Sequence, residues 1–417
     1  MTATDLSAAT DGHAERPDDE PSNRRSWWRH VPGVLLFLLA GIGFGWLVAQ
    51  LWPGGDHDVV RQDLGSLVTE GDVPVDPDVL VELVAYVEAA TGRTFVTPPI
   101  VVGQSDEDFA AGAAAAVEED LDPASIERSA RYHQALFGDE RGTAELGEGI
   151  VTFAEGGFAG YYDPDVDRLF VPTSAGDSGE LQAVIVHELV HALDDQHVDL
   201  GAMLTEAVEE LEDTERERVL RTVVEGRAMS VEAAWRTEND VPPSTEIPDV
   251  IDAVPPAMVS AIALPYTVGP VFIDAMGGPE GTWELYEALP ATTDELLWPA
   301  GANTAEAPAP EAEGDELFRW EFGAYEFLLA LSGNTLQPDE ATLVAAATAT
   351  DGWADGEAVL WGDETRSCVR LSLAADSADH LAEMVDALTT WAGVDEGRQV
   401  ETATDGVLAT ACAPYLP

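Results

Sequence analysis

The hydrophobic and polar positions of the chain follow a helical period over most of its length, with short strand-like runs between the helical segments. Helices are expected at about 78–91, in two stretches up to about 137, at 179–195, at 203–236 and near 317–332. Further helical segments are expected after the proline-rich stretch VPPSTEIPDVIDAVPP. The residues after 350 alternate short apolar runs with one helix near 377–391, which predicts a small α+β closing unit over residues 351–417. The expected fold class is therefore α+β and mainly helical.

Two further stretches have the composition of strands. Residues 94–103 read TFVTPPIVVG, which is rich in β-branched residues. Residues 149–172 are expected to form a hairpin, because the runs GIVTFAEGGFAGYYD and RLFVP flank the turn-prone segment DPDVD. This hairpin directly precedes the helix at 179–195, where the candidate chemistry lies.

An apolar segment near the N-terminus is long enough to cross a membrane. Residues 31–52 carry no charge, and a helix of this length covers the ~30 Å hydrocarbon core. Arg24, Arg25 and Arg29 precede the segment, so the positive-inside rule keeps residues 1–30 in the cytoplasm. A cleaved signal peptide is the alternative, although the run is long for one and lacks a clear A-x-A site. We therefore expect a cell-membrane protein with a disordered cytoplasmic tail (1–30), a single-pass transmembrane helix (31–52), a linker (53–76) and an outward-facing domain (77–350).

The charge of the chain is strongly negative. It has 79 acidic residues against 19 basic ones, all of them arginine, for a formal net charge of -60. Such a surface stays hydrated in concentrated salt, as in halophilic proteins, and acidic bias in a high-GC genome is the alternative explanation. Nucleic acid is excluded as a partner, because few basic groups are available to displace counterions from phosphates. In an extracytoplasmic chain, Cys368 and Cys412 form either a disulfide or two free buried thiols.

The stretch VIVHELVHALDDQH, residues 184–197, contains the pattern H-E-x-x-H. On a helix, His187 and His191 lie about 40° apart on one face, so both imidazoles can reach one metal ion. Glu188 between them would take a proton from a water activated by Zn²⁺. This is the pattern of a zinc hydrolase, and it needs a third protein ligand.

The third ligand has two candidate sources. His197 has the spacing of the metzincins, but Asp194 stands where that pattern has its helix-breaking glycine. If the helix continues, His197 lies about 240° around and roughly 9 Å further along than His191. Glu225, in VVEGRA on the next long helix, follows a buried apolar face, and zinc would supply the counter-charge that a buried carboxylate requires. Gly226 beside it permits close helix packing, and Glu225 is the preferred ligand.

HELVHALDDQH followed by VVEGRA resembles the bacterial and archaeal H-E-x-x-H metallopeptidases of gluzincin type that carry an E-G-x-A element. The resemblance covers about residues 75–412 and is specific only at the zinc motifs. It implies a zincin-like catalytic domain with His187, His191 and Glu225 as ligands and Glu188 as base. Asp194 and Trp298 depart from it, standing where glutamine and histidine are expected.

Other candidate residues complete the expected site. Asp195 matches an aspartate that supports the metal site in thermolysin-like enzymes, and Tyr161, Tyr162 and Tyr266 are candidate oxyanion donors. Residues 158–162 are expected to pair with an extended peptide. The expected function is a membrane-anchored zinc metallopeptidase acting on a peptide or protein. The alternative is a catalytically inactive zincin-fold binding or assembly protein at the cell envelope.

Overall fold

Two five-stranded sheets, with helices packed on them, form the fold in the computed structural model, which describes residues 61–209, 214–243, 250–298, 305–393, 395–403 and 406–417. The architecture is mixed α+β and mainly helical, so the predicted fold class is confirmed at that level. The predicted tail (1–30) and transmembrane helix (31–52) lie outside the described residues.

The helices in chain order are α1 (Pro77–Thr91), α2 (Asp106–Asp120), α3 (Pro123–Phe137), α4 (Thr143–Gly156), α5 (Gly179–Val198), α6 (Leu200–Glu209), α7 (Thr214–Glu238), α8 (Pro256–Ala275), α9 (Gly278–Gly281), α10 (Thr293–Leu297), α11 (Ala324–Ser332), α12 (Glu340–Asp351) and α13 (Ala378–Ala392). The strands are β1 (Arg61–Asp63), β2 (Val68–Gly71), β3 (Ile100–Gln104), β4 (Tyr161–Asp163), β5 (Arg168–Pro172), β6 (Glu316–Glu321), β7 (Trp353–Gly362), β8 (Arg366–Ala375), β9 (Arg398–Thr402) and β10 (Val407–Pro414). Below, α5 is the motif helix, α7 the ligand helix and α8 the apolar helix.

The first sheet has the strand order β1-β2-β3-β5-β4. Strands β2, β3 and β5 are parallel, and β4 runs antiparallel to β5 at the sheet edge. The hairpin prediction is correct for β4 and β5 but wrong for residues 149–156, which complete helix α4. Residues 61–71 lie in the predicted linker (53–76) but form two strands, and Leu67 in the turn between them is fully buried.

The motif helix packs across the first sheet. Ser178 caps its start by accepting a hydrogen bond from the backbone N–H of Leu181, as helix N-caps do. The predicted start at 179 is confirmed, and the helix runs three residues beyond the predicted end at 195. Its apolar face, with Ile185, Leu189 and Leu193 fully buried or nearly so, joins the core formed with the sheet and α1. The two histidines are therefore carried on a rigid element.

The predicted helix over 203–236 is two helices, α6 and the ligand helix. The ligand helix crosses the apolar helix at two glycines. A Cβ on Gly226 would lie 2.5 Å from the carbonyl carbon of Gly269, so neither glycine can be replaced without moving backbone. The expected close helix packing at Gly226 is therefore present, but the partner is the apolar helix and not the motif helix. Of the described residues, this apolar helix is the one that could cross a membrane by length and composition, with 28% of its most apolar window buried.

The second sheet, order β6-β7-β8-β10-β9, is antiparallel throughout and covers the C-terminal core. It begins at Glu316, so the structural unit starts well before the predicted boundary at 351. The prediction of one helix over 317–332 is wrong, because residues 316–321 pair with β7 as strand β6 and the helix α11 begins only at residue 324. Cys368 and Cys412 face each other on β8 and β10 and form a disulfide.

Candidate metal centre

Three buried side chains from two packed helices converge on one point. His187 and His191 lie one turn apart on the motif helix, and Glu225 lies on the ligand helix. The carboxylate oxygen Oε2 of Glu225 lies 3.1 Å from His187 Nε2 and 3.4 Å from His191 Nε2. The candidate ligand atoms of the three residues all lie within 4.8 Å of one another. This buried group could hold a metal ion.

The distances fit a small tetrahedral cation. Ligand atoms about 2.1 Å from a tetrahedral ion are separated by about 3.4 Å from one another, close to the two measured separations. Burial alone would raise the pKa of Glu225, but the two adjacent histidines hold that pKa well below its ordinary value. An ionised carboxylate and two imidazole nitrogens are thus directed at one point, as a divalent cation requires.

The side chain that orients His187 is Glu232, which is not among the residues predicted from the sequence. Its Oε2 lies 3.1 Å from Nδ1 of His187, on the opposite side of the ring from Glu225. Burial disfavours a charged His187, yet the hydrogen bonds to both glutamates hold its pKa above the ordinary value. A carboxylate behind a ligating histidine fixes its ring orientation and raises its basicity. The available signal was the spacing of seven between Glu225 and Glu232, which places both on one face of a helix.

Glu232 is held in turn by an arginine. Arg236 donates to Glu232 at 2.6 Å and, through its other nitrogens, to both carboxylate oxygens of Glu180 at 2.8 Å. Glu180 lies in the first turn of the motif helix, so this chain of ion pairs joins the two helices behind the metal group. Nδ1 of His191, by contrast, is buried without a hydrogen-bond partner among the described residues.

Glu188 lies beside the edge strand of the first sheet. It is 8% exposed, and its Oε2 accepts a hydrogen bond of 2.9 Å from the backbone N–H of Tyr162 on β4. Burial raises the pKa of Glu188, although His191 and His187 oppose the shift. A Cβ on Gly160 would lie 2.7 Å from Val184, so the strand approaches the motif helix closely at that glycine.

A second buried pair joins the motif helix to the ligand helix. Asp194 accepts hydrogen bonds of 2.8 and 3.0 Å from Arg227, and both side chains are fully buried. The hydroxyl of Tyr286 donates to the same carboxylate at 2.5 Å. Burial lowers the pKa of Arg227, but Asp194 more than offsets this and holds it above its ordinary value. In the sequence, Asp194 stands out only as a departure from two motifs. In the structure it joins the motif helix, just after His191, to the ligand helix, just after Glu225.

The remaining predicted residues lie at different distances from the metal group. His197 continues the helix and points away, with its Nε2 2.9 Å from the carbonyl oxygen of Thr94. Asp195 does not orient a histidine, because its carboxylate accepts hydrogen bonds from the Tyr162 hydroxyl at 2.9 Å and from the Leu200 N–H at 2.7 Å. It instead fixes the edge strand and the start of α6.

Two of the candidate tyrosines, Tyr161 and Tyr266, have different surroundings. Tyr161 packs its ring between Phe109 and Phe170, with centroids 5.3 and 5.0 Å away, in an apolar cluster below the first sheet. Tyr266, on the apolar helix, stacks on His187 with a centroid separation of 6.0 Å. Burial and the nearby Glu225 and Glu188 raise the pKa of Tyr266 well above its ordinary value, so its hydroxyl keeps its proton. Of the two tyrosines, Tyr266 adjoins the metal group.

A cavity of about 110 Å³ opens beside Glu225 and Tyr266. Its wall is formed by α3, the ligand helix, the apolar helix, α11 and strands β6 and β7, and most of its lining is apolar. The aromatic part of the lining comprises Tyr132, Phe137, Tyr266, Phe318, Trp320 and Tyr325. No single segment of the sequence indicates this cavity, because its walls come from residues up to 232 positions apart, from Arg128 to Leu360.

Comparison with family models, with curated proteins and with solved structures finds no match for this chain. The chemistry of the site therefore follows from its own donor set, contacts and adjoining cavity.

Proposed function

We propose that this protein is a zinc-dependent metallopeptidase with a zincin-like catalytic domain, anchored to the cell membrane and facing outward. The observation that carries the proposal is the buried group of His187, His191 and Glu225, with Glu188 one residue from the first ligand. Two histidines and one carboxylate leave a fourth position open on a tetrahedral ion, which is the arrangement of catalytic and not of structural zinc.

Zn²⁺ bound by these three residues would supply a Lewis acid that polarises a scissile carbonyl and makes a water more acidic. Glu188 takes the proton from the attacking water and returns it to the departing amine. Its raised pKa, caused by burial, suits a residue that must both accept and release a proton. Tyr266 remains protonated beside the metal group and donates a hydrogen bond to the oxyanion that develops in the transition state.

The edge strand β4 supports a role in substrate binding. It is the last strand of the first sheet, and the backbone N–H of Tyr162 on it donates to Glu188. An extended peptide could add to such an edge as a further strand. A peptide laid along β4 would pass the general base. Substrate binding by strand addition is therefore the binding mode proposed for residues 158–162.

Two observations support an outward-facing location. Residues 31–52 have the length and composition of a membrane anchor with arginines on its N-terminal side. The disulfide between Cys368 and Cys412 suits an oxidising compartment. Both observations support a catalytic domain that is held outside the cytoplasm by one N-terminal helix.

Metal analysis and peptide hydrolysis test this function together. Purified protein in molar KCl is dialysed against metal-free buffer, and its zinc content is measured by mass spectrometry. We expect one zinc per chain, loss of that zinc in Glu225→Ala, and retention in His197→Ala. Zinc lost from His197→Ala but kept by Glu225→Ala would overturn the assignment of ligands.

A second experiment distinguishes an enzyme from an inactive binding protein of the same fold. Glu188→Gln is expected to keep zinc and to lower the rate of peptide hydrolysis by at least 10²-fold, the minimum for a general base. Glu206→Gln is the matched control, since Glu206 is an exposed glutamate on α6, and it is expected to change neither quantity. Zinc binding without any Glu188-dependent hydrolysis would instead favour a binding or assembly protein.

A further inference from the structure

The cavity adjoins the metal group at Glu225. Glu225 and Tyr266 line it, and the same residues contact His187 from the ligand helix and the apolar helix. A substrate bound at the metal group would therefore lie beside the cavity.

The lining favours an apolar occupant. The charged residues on the wall are three arginines and three glutamates, of which Glu225 belongs to the metal group. Arg218 pairs with Glu326 at 3.1 Å and Arg221 with Glu217 at 3.2 Å, which leaves these four side chains satisfied by one another. Burial lowers the pKa of His133, also on the wall, to about 4, so this ring is neutral. A charged side chain entering the cavity would lose its hydration without gaining a free counter-charge.

The size of the cavity limits the occupant further. At about 110 Å³, the volume is somewhat below that of the ~150 Å³ apolar cavity that admits a benzene molecule. On this scale a branched aliphatic side chain is well within the limit, a phenyl ring lies at the upper limit and an indole exceeds it. The aromatic floor from the C-terminal sheet, Phe318 and Trp320, provides the contact area.

We infer that this cavity is the specificity pocket of the peptidase and takes a leucine-sized to phenylalanine-sized apolar side chain flanking the scissile bond. The inference rests on the proposed function. It also assigns a role to the C-terminal unit, whose strand β6 supplies part of the pocket wall.

Cleavage specificity and inhibitor binding test this inference separately. A library of peptides is digested with the zinc-loaded protein, and the cleaved bonds are identified by mass spectrometry. Leucine, isoleucine, methionine and phenylalanine are expected to dominate one position flanking the bond, with kcat/KM about 10- to 200-fold above the alanine peptide. Cleavage that shows no preference, or that prefers charged side chains, would overturn the pocket while leaving the peptidase function intact.

The second measurement does not depend on turnover. Dipeptide hydroxamates bearing a methyl, isobutyl or benzyl side chain are titrated calorimetrically into zinc-loaded Glu188→Gln protein. The isobutyl and benzyl compounds are expected to bind about 10- to 200-fold more tightly than the methyl compound. If this preference is seen but no peptide is cleaved by the wild type, the pocket stands and the peptidase function fails.

A pair of variants on the apolar helix provides the matched control. Ala261 lines the cavity, whereas Ala263 on the same helix is exposed. In Ala261→Phe the added ring is expected to fill the pocket and abolish the preference for isobutyl over methyl, and in Ala263→Phe the preference is expected to persist. Leu329→Ala, which enlarges the pocket, is expected to admit a tryptophan-like side chain. Equal behaviour of Ala261→Phe and Ala263→Phe would refute the assignment.

Discussion

Replacing Asp194 by asparagine is expected to destabilise the protein strongly, because it leaves the Arg227 charge buried without its partner. The carboxylate accepts two hydrogen bonds from Arg227, at 2.8 and 3.0 Å, and both side chains are fully buried. Removing one member of such a pair costs about 3–5 kcal/mol, since a buried charge is then uncompensated. That is a large share of the ~5–15 kcal/mol that stabilises a typical domain.

The cost of breaking the pair differs from the cost of replacing it. In the double variant Asp194→Leu with Arg227→Met, no charge is left uncompensated. The hydroxyl of Tyr286 still loses its acceptor, which costs about 1–3 kcal/mol. The double variant is therefore expected to be more stable than Asp194→Asn, although less stable than the wild type. This ordering is the signature of a buried ion pair.

Urea unfolding in molar KCl, followed by tryptophan fluorescence, measures these differences. Glu316→Gln is the control, because the Glu316–Arg319 pair is also at 2.8 Å but its side chains are 45% and 33% exposed. That exposed pair is expected to contribute less than about 1 kcal/mol. If Asp194→Asn costs no more than Glu316→Gln, the buried pair does not hold the two helices together and the argument is refuted.

Three further predictions follow from the site and its surroundings. Glu232→Gln is expected to weaken zinc binding about 10- to 100-fold by leaving His187 poorly oriented, as measured by competition with a chelator, and unchanged affinity would remove Glu232 from the site. Replacing both Cys368 and Cys412 by alanine is expected to lower the stability by up to about 4 kcal/mol, because the disulfide closes a loop between residues 44 positions apart; an unchanged urea midpoint would contradict this. Burial raises the pKa of Asp163 to about 7, so the native state holds a proton that the unfolded chain releases near pH 4. The wild type should therefore lose stability relative to Asp163→Asn as pH rises between about 4 and 7, by up to about 1.4 kcal/mol per pH unit, and parallel stability curves for the two proteins would disprove it.

Local periodicity accounts for what could be predicted of the site. His187 and His191 are four residues apart on a helix that begins at the predicted residue, so their common face follows from the helical repeat alone. The position of Glu225 beside a run of buried valines also follows from the sequence of its own helix. His197 points away because the helix continues through it, as the missing glycine indicates.

The predictions that were wrong concern contacts between residues far apart in the chain, which local periodicity does not reveal. Residues 61–71 have no strong local strand signal and become strands through pairing with β3 and with each other. Strand β6 was read as helix since short apolar runs satisfy both periods, and its pairing with β7 decides between them. The roles of Glu232 and Arg227 were not predicted, because their partners lie on the motif helix, which is distant in the chain.

The sequence alone determined the types of candidate ligand, the face of the motif helix that presents the two histidines and the position of Glu188, the proposed general base, because these depend on contacts within one or two helical turns. Tertiary structure decided which carboxylate lies behind His187, how Asp194 joins the two helices and where the apolar cavity opens. Each of these depends on how closely helices pack, and the contact of Gly226 with Gly269 sets one such distance. Residues far apart in the chain meet only when the helices and the second sheet have packed, so no local pattern encodes them.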